Sequence, residues 1–327
     1  MNAGSPVSTN EVLVARAGAW MVDRGLPFDR LEALAGDVSP RRYLRAIRDG
    51  RGTAIVAHYP AEMRATARRF ERSTELLAAH GVRVPAILAS DAEAGWMAVE
   101  DLGPRTLHES GADWTSLRPY YDDALATLRR IAALPRAAVI ELGSPPLDAP
   151  LLRRELEPCF ATFLVPRGLA GDPAAQAALA DALTLLCERL AADPTVPCHR
   201  DFMVRNLVPL GEGRVGVLDH QDLRLGPPAY DLASLLNDSL FPNADLEQEL
   251  LAAGLPPDVA RDQDSRTVAQ RALKAVGTYA AFAARGATRH LPLVAPTLAR
   301  AERHLLALPE TAQIVAPLVG RWRSATG

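Results

Sequence analysis

The stretch that most restricts what this chain can become is Pro197-Cys198-His199-Arg200-Asp201-Phe202-Met203-Val204-Arg205-Asn206. An apolar run follows, Val215-Gly216-Val217-Leu218, and ends in Asp219. The pattern is H-R-D-x-x-x-x-N and then a short strand that delivers one more carboxylate. Leu207-Val208-Pro209-Leu210 and Val215 to Leu218 are expected to pair as a hairpin around Gly211-Glu212-Gly213. Taken one at a time, Asp201 and Asn206 read as turn formers and Asp219 as a strand-end cap. Taken together, they match what phosphoryl transfer from ATP asks for, which is a hydroxyl held in line with the γ-phosphate and neutralised charge on its oxygens. On that reading Asp201 orients the hydroxyl and accepts its proton, while Asn206 and Asp219 offer hard oxygens to Mg²⁺. Arg205, inside the same loop, joins Asp201 as a catalytic candidate.

These residues, with Leu218-Asp219-His220-Gln221-Asp222 and Gly226-Pro227-Pro228-Ala229-Tyr230-Asp231-Leu232, resemble the aminoglycoside phosphotransferase-like small-molecule kinases. Within that family the chain looks most like the anomeric kinases of N-acetylmuramate and N-acetylglucosamine, over nearly its whole length. The resemblance implies an α+β, two-lobed protein-kinase-like fold, with a small antiparallel β-sheet lobe at 1–103 that binds nucleotide. A larger helical lobe at 104–327 would carry the catalytic loop and the acceptor site. It implies ATP and Mg²⁺, and a free amino sugar as the partner. It also implies that Glu100 to Gly103, through Glu100 and Leu102, presents backbone groups to adenine, where a plain exit from strand to loop is the alternative. Glu155, on a helix like the one that helps form the acceptor site in these kinases, is a candidate for the sugar hydroxyls, since a carboxylate accepts bonds from adjacent hydroxyls. Asp222 either reaches the sugar or caps a loop. Asp231 sits where a helix N-cap belongs, and in the resembled family that aspartate also holds the catalytic loop.

With 327 residues, 48% of them hydrophobic, the chain can bury a core large enough for two lobes. A net charge of −3 argues against non-specific nucleic-acid binding. Three cysteines make no disulfide framework and no zinc-ligand spacing. The N-terminus lacks the texture of a signal segment, and no apolar stretch reaches the ~20 residues of a membrane span. A cytoplasmic monomer is the expectation. Lys274 is the single lysine, so arginine carries nearly all positive charge.

Along the chain, a helix is expected to open near Ser8-Thr9-Asn10. Strands are expected at Leu31 to Ala35, Tyr43 to Ile47, Thr53 to His58, Pro85 to Leu88 and Trp96 to Val99. Gly36 to Tyr43 is the candidate phosphate turn, with one glycine, one serine and two arginines; an ordinary strand connection is the alternative. Kinases of this kind carry a lysine on the third strand. This chain reads Ala54-Ile55-Val56-Ala57-His58 there, so Arg42 or Arg45 from the neighbouring strand is expected to contact phosphate instead. Helices are expected at Ala61 to His80, Trp114 to Leu134, Leu151 to Leu164, Asp172 to Ala191, Leu246 to Gly254, Asp262 to Arg285 and Ala295 to Leu306.

Protein kinase activity is disfavoured, because Met203 occupies the place two after Asp201 where protein kinases carry lysine, and no A-P-E segment follows Asp219. A kinase of another alcohol, aminoglycoside-like or choline-like, and a non-catalytic nucleotide-binding module stay open beside the sugar kinase.

Overall fold

The computed structural model describes residues 9–34 and 40–325 of the protein. Helix α1 (Thr9–Asp23) leads into strands β1 (Arg30–Ala33), β2 (Arg42–Arg48) and β3 (Arg51–His58). Helix α2 (Arg64–Ala79) and strands β4 (Ile87–Asp91) and β5 (Trp96–Glu100) complete this part. All neighbours in the five-stranded sheet are antiparallel, in the order β1-β2-β3-β5-β4. β2 and β3 are joined at Asp49-Gly50, with φ of 50° and 73°, the two left-handed residues that a tight hairpin of this hand requires. Gly36 to Ser39 of the expected phosphate turn lie outside the described residues.

Strand alternation gives the sheet two different faces. Leu44, Ala46, Ala54 and Val56 pack on Ala17, Trp20 and Met21 of α1. Ala57, Tyr59, Met97 and Val99 pack on Ala67 and Phe70 of α2, on the side of the helical lobe. α2 stops where Gly81 turns left-handed: the Gly81 N–H donates to Ala78 O at 3.1 Å and the Val82 N–H to Leu77 O at 3.0 Å. Those two bonds satisfy carbonyls that the helix end would otherwise orphan.

Helices dominate from residue 104 onward. α3 (Trp114–Ala132), α4 (Arg136–Glu141), α5 (Ala149–Arg154), α6 (Glu157–Cys159) and α7 (Pro173–Ala192) come first. Four short strands follow: β6 (Val196–Cys198), β7 (Leu207–Pro209), β8 (Val215–Val217) and β9 (Arg224–Gly226). The β7–β8 hairpin forms at the expected positions, while the pairing of β6 with β9, which closes the catalytic segment into a loop, was not expected. α8 (Tyr230–Leu236), α9 (Ala244–Gly254), α10 (Arg261–Ala284), α11 (Val294–Ala307), α12 (Ala312–Val315) and α13 (Val319–Ser324) finish the chain. The sequence reading also missed the short helices α4, α12 and α13. Among the described residues no helix is long and apolar enough to cross a membrane.

The one helix expected over 151–164 is broken. α5 ends at Arg154, Pro158 stands in the first turn of α6, and Phe160–Leu164 makes a single π-helical turn. Proline supplies no N–H to continue the preceding helix. α10 lies close against this irregular segment. A Cβ on Gly277 would come within 2.4 Å of the Cys159 backbone nitrogen, so only glycine permits the approach. The contact fixes the height of α10, and with it Arg271 and Lys274 within two turns on the N-terminal side.

Candidate active site

The loop after β6 is held by its backbone. The Asp231 carboxylate accepts the His199 N–H at 2.6 Å and the Arg200 N–H at 2.9 Å. This corrects the helix-cap reading of Asp231: α8 begins at Tyr230, with Ala229 at its cap position, and the Asp231 side chain serves the loop instead. His199 Nε2–H donates to the Leu218 carbonyl at 3.0 Å, tying the loop to the residue before Asp219. Arg200 and Asp219 are both left-handed, with φ of 79° and 60°, a conformation that non-glycine residues adopt only where the surroundings hold them.

Asn206 Nδ2 donates to the Asp201 carbonyl at 2.8 Å. The amide hydrogens are thereby turned inward, and its Oδ1 is the atom left to face a ligand. Asp219 Oδ1 accepts from Gln221 Nε2 at 2.7 Å and from Arg41 Nη2 at 3.2 Å, and the Asp219 side chain is 39% exposed. An amide oxygen and a carboxylate suit Mg²⁺, which keeps most of its coordination for water and phosphate oxygens. Behind Asp219, His220 is buried between Phe70, at a ring distance of 4.4 Å, and Thr74. Thr74 gives its hydrogen to Phe70 O, so His220 Nε2–H donates to the Thr74 oxygen at 2.7 Å. Burial lowers the His220 pKa to about 3, leaving a neutral peg that seats the strand end on α2.

Around Asp201 stands a set of charges that the sequence did not announce. Asp201 Oδ1 is 3.3 Å from Arg271 Nη1 and 3.7 Å from Lys274 Nζ, both on α10. Burial alone would raise this carboxyl, but Lys274, Arg271, Arg200 and His199 outweigh it and hold Asp201 below the usual carboxylate range. Glu155 meets the same competition between burial, Lys274 and Arg200, and falls to about 2. Its Oε1 accepts from Arg200 at 2.7 Å and Lys274 at 3.1 Å, and its Oε2 from Gln270 at 3.3 Å and Tyr230 at 3.4 Å.

That inventory corrects the expectation for both acceptor-site carboxylates. Glu155 has its two oxygens occupied and does not line the cavity that holds Asp201. Asp222 accepts from Arg200 at 2.9 Å and Arg224 at 3.3 Å and is likewise absent from the cavity wall. Each anchors Arg200, because a guanidinium buried behind the loop needs counter-charge on both sides.

The cavity itself has a volume of about 820 Å³, with Asp201, Asn206 and Asp219 on its wall. Arg205, expected at the catalytic step, belongs to that wall through other partners. Its Nε donates to Asp238 Oδ2 at 3.1 Å, its Nη2 bonds Asp238 Oδ1 and reaches Tyr279 Oη at 2.7 Å, and its Nη1 reaches His290 Nδ1 at 3.0 Å. Arg289 Nε approaches the other ring nitrogen of His290 at 3.1 Å. Cations and aromatic rings therefore share this cavity with the carboxylates Glu109, Asp201, Asp219 and Asp238, of which Asp238 pairs with Arg205.

On the sheet side, the expected phosphate arginines need correction too. Arg42 is exposed and shares its strand parity with Leu44 and Ala46, which face α1. Arg45 shares the parity of Tyr43, but its Nε lies 2.7 Å from Asp101 Oδ2 and its Nη2 donates to Gly103 O at 3.0 Å. It staples β2 to the segment between the lobes. The arginine that reaches Asp219 is Arg41, whose guanidinium also lies 5.6 Å from the Tyr43 ring centre. Glu100 gives its N–H to Ala86 O at 2.8 Å and its carboxylate to Arg83. Leu102 lies close to Gly216 of β8.

Residues 30–264 match the model of the phosphotransferase enzyme family. The chain belongs to this family. It is 33% identical over 296 residues to an N-acetylmuramate/N-acetylglucosamine kinase of Pseudomonas putida, covering 84% of this chain and 83% of the relative. The fold is like that of choline kinase LicA from Streptococcus pneumoniae, with a TM-score of 0.61 at 17% identity, covering 90% of this chain and 97% of that one. It is also like the GDP complex of wild-type aminoglycoside 2'-phosphotransferase-IIIa, with a TM-score of 0.61 at 14% identity, covering 89% and 98%. The α+β, two-lobed, kinase-like architecture is thereby established.

For a phosphotransferase, the contact of Arg41 with Asp219 makes Arg41 the sheet-side cation to test. Arg41→Ala is expected to raise KM for ATP roughly tenfold, the loss of one charge-assisted phosphate contact, while Arg42→Ala leaves it unchanged. Steady-state kinetics on the two purified variants decides it, and an equal effect of both would return Arg42 to the site.

Proposed function

We propose that this phosphotransferase uses ATP with Mg²⁺ to phosphorylate a free amino sugar, of the N-acetylmuramate and N-acetylglucosamine type, at its anomeric hydroxyl. The observation that carries the reading is the cavity: Asp201, Asn206 and Asp219 stand on the same wall system as Arg205, Arg289 and His290. The cavity balances its acidic residues with arginines and a lysine rather than presenting the markedly acidic groove that a polycationic acceptor would favour, and its guanidinium groups suit the oxygens of an acylated, carboxylate-bearing or neutral sugar. Tyr279 and Phe282 add apolar faces against which a sugar ring can pack. The P. putida relative, named for these two sugars, supports the same choice.

Asp201 accepts the proton of the acceptor hydroxyl as its oxygen bonds to the γ-phosphorus and the bond to the β-phosphate oxygen breaks, giving ADP and a sugar 1-phosphate. Asn206 and Asp219 would hold Mg²⁺, which when bound would neutralise charge on the phosphate oxygens. Arg41 adds cationic charge from the sheet side, and Glu100 and Leu102 are the proposed adenine-side positions. The lobe boundary at Gly103, a cytoplasmic location, a monomer, a place in the recycling of cell-wall sugars and no nucleic-acid partner belong to the same reading.

An anomeric hydroxyl is more acidic than other sugar hydroxyls, so a carboxylate of low basicity still suffices as base. The free sugar is expected to yield an acid-labile 1-phosphate, and the methyl glycoside blocked at C1 no product. Phosphorus NMR of the product distinguishes these, and a stable 6-phosphate or good turnover of the glycoside would remove the anomeric assignment.

A further inference from the structure

We propose that Lys274, the chain's only lysine, is a catalytic residue that donates a hydrogen bond to the phosphoryl group in flight between ATP and the acceptor. The inference rests on the reading of Asp201 as the base, not on which sugar is the acceptor.

Three cations surround Asp201, and two of them are committed elsewhere. Arg271 spends Nη1 on the Arg200 carbonyl at 3.0 Å, on Asp201 and on Tyr230 Oη at 3.3 Å, with its side chain 9% exposed. It braces the loop from beneath. Arg200 is bound by Glu155 and Asp222. All three line the cavity; Lys274 differs in that its ammonium has one close partner, Glu155, and a longer approach to the base. It sits 3.1 Å from Glu155 Oε1 and 3.7 Å from Asp201 Oδ1. An ammonium carries three N–H donors. Glu155 takes one, and the long approach to Asp201 leaves the remainder directed at the space beside the base.

That space is where the reacting atoms must be. The acceptor oxygen lies within hydrogen-bond reach of Asp201 when its proton moves, and the γ-phosphorus lies one bond beyond it. A cation less than 4 Å from the Asp201 oxygen therefore borders the non-bridging oxygens that carry the charge of the transition state. In the transfer the acceptor O–H gives its proton to Asp201, the oxygen–phosphorus bond forms, and the bond to ADP breaks. Lys274 keeps its proton throughout. The position two after Asp201, where protein kinases place their lysine, is Met203; here a lysine approaches the same base from α10. Glu155 then has a stated task, which is to hold the Lys274 ammonium at the base.

The test uses the full chain. Lys274→Met is expected to fold, to bind MgATP with KM little changed, and to lose about 10²-fold in kcat, the usual effect of removing one transition-state donor. Because a structural cation could also depress turnover, Lys274→Cys is taken through alkylation. Cys159, Cys187 and Cys198 are all buried, so the new thiol on the cavity wall is the one that reacts. Treatment with 2-bromoethylamine rebuilds an ammonium at nearly the lysine length and is expected to restore most of kcat, whereas iodoacetamide, which adds a neutral group, is not. Should Lys274→Cys prove insoluble, Glu155→Gln/Lys274→Cys removes the buried carboxylate that has lost one of its two cations and is carried through the same two reagents. Folded Lys274→Met with kcat within twofold of wild type overturns the proposal, as does equal recovery with both reagents or none with either in soluble protein. Wild type inert toward every acceptor would instead sink the phosphotransfer reading itself.

Discussion

Asp201→Asn lowers kcat by on the order of 10² to 10⁴ while MgATP binds as before. The amide keeps the shape of the carboxylate, so its oxygen can still face Arg271 and Lys274, which meet Oδ1 in the wild type. Its NH₂ then points at the acceptor hydroxyl as a donor. It cannot take the proton, and it orients the hydroxyl wrongly. Binding survives because Arg41, Asn206 and Asp219 are untouched. Kinetics and calorimetry on the purified variant provide the check, and near-normal turnover would strip Asp201 of its role.

Asp219→Asn is the second large effect, and asparagine rather than alanine is the right replacement. Residue 219 is left-handed with φ of 60°, a conformation that asparagine tolerates and alanine does not. The variant removes charge without disturbing the backbone that seats His220 on α2. Losing the carboxylate takes away the proposed metal ligand and the partner of Arg41. The expected result is a fall in kcat on the order of 10²-fold or more, together with weaker calorimetric affinity for MgATP. Unchanged affinity would move Asp219 to a structural role.

Both of these residues were legible because they lie within one continuous segment, where spacing alone restricts geometry. The same holds for the hairpins around Asp49-Gly50 and Gly211 to Gly213, whose turn residues declare themselves locally. What could not be read was partnership across the chain. Glu155 and Asp222 look like any acidic residues near a binding site until Arg200 is seen between them. Lys274 and Arg271 sit in an alanine-rich helix with no motif to mark them, seventy residues beyond the base they serve. Arg41 was placed in the phosphate turn, but Arg42 and Arg45 were singled out ahead of it for a different reason. Strand parity reverses with a shift of one residue, and choosing Arg42 put the side chain on the α1 face. A carbonyl partner misled the reading of Arg45, since no sequence pattern reveals that Gly103 O will claim it.

The close seating of α10 on Cys159 through Gly277 has a consequence for how the protein comes into being. Synthesis runs from the N-terminus, and domains form as their segments emerge. The sheet, α2 and the β6-to-β9 region all precede α10 in the chain. Until α10 is made, Asp201 has neither Arg271 nor Lys274 beside it, and Glu155 has Arg200 as its only cation. A loop already shaped by Asp231 thus waits for its charge. The charge around Asp201 is therefore incomplete until α10 docks, and that docking needs a residue without a side chain at 277.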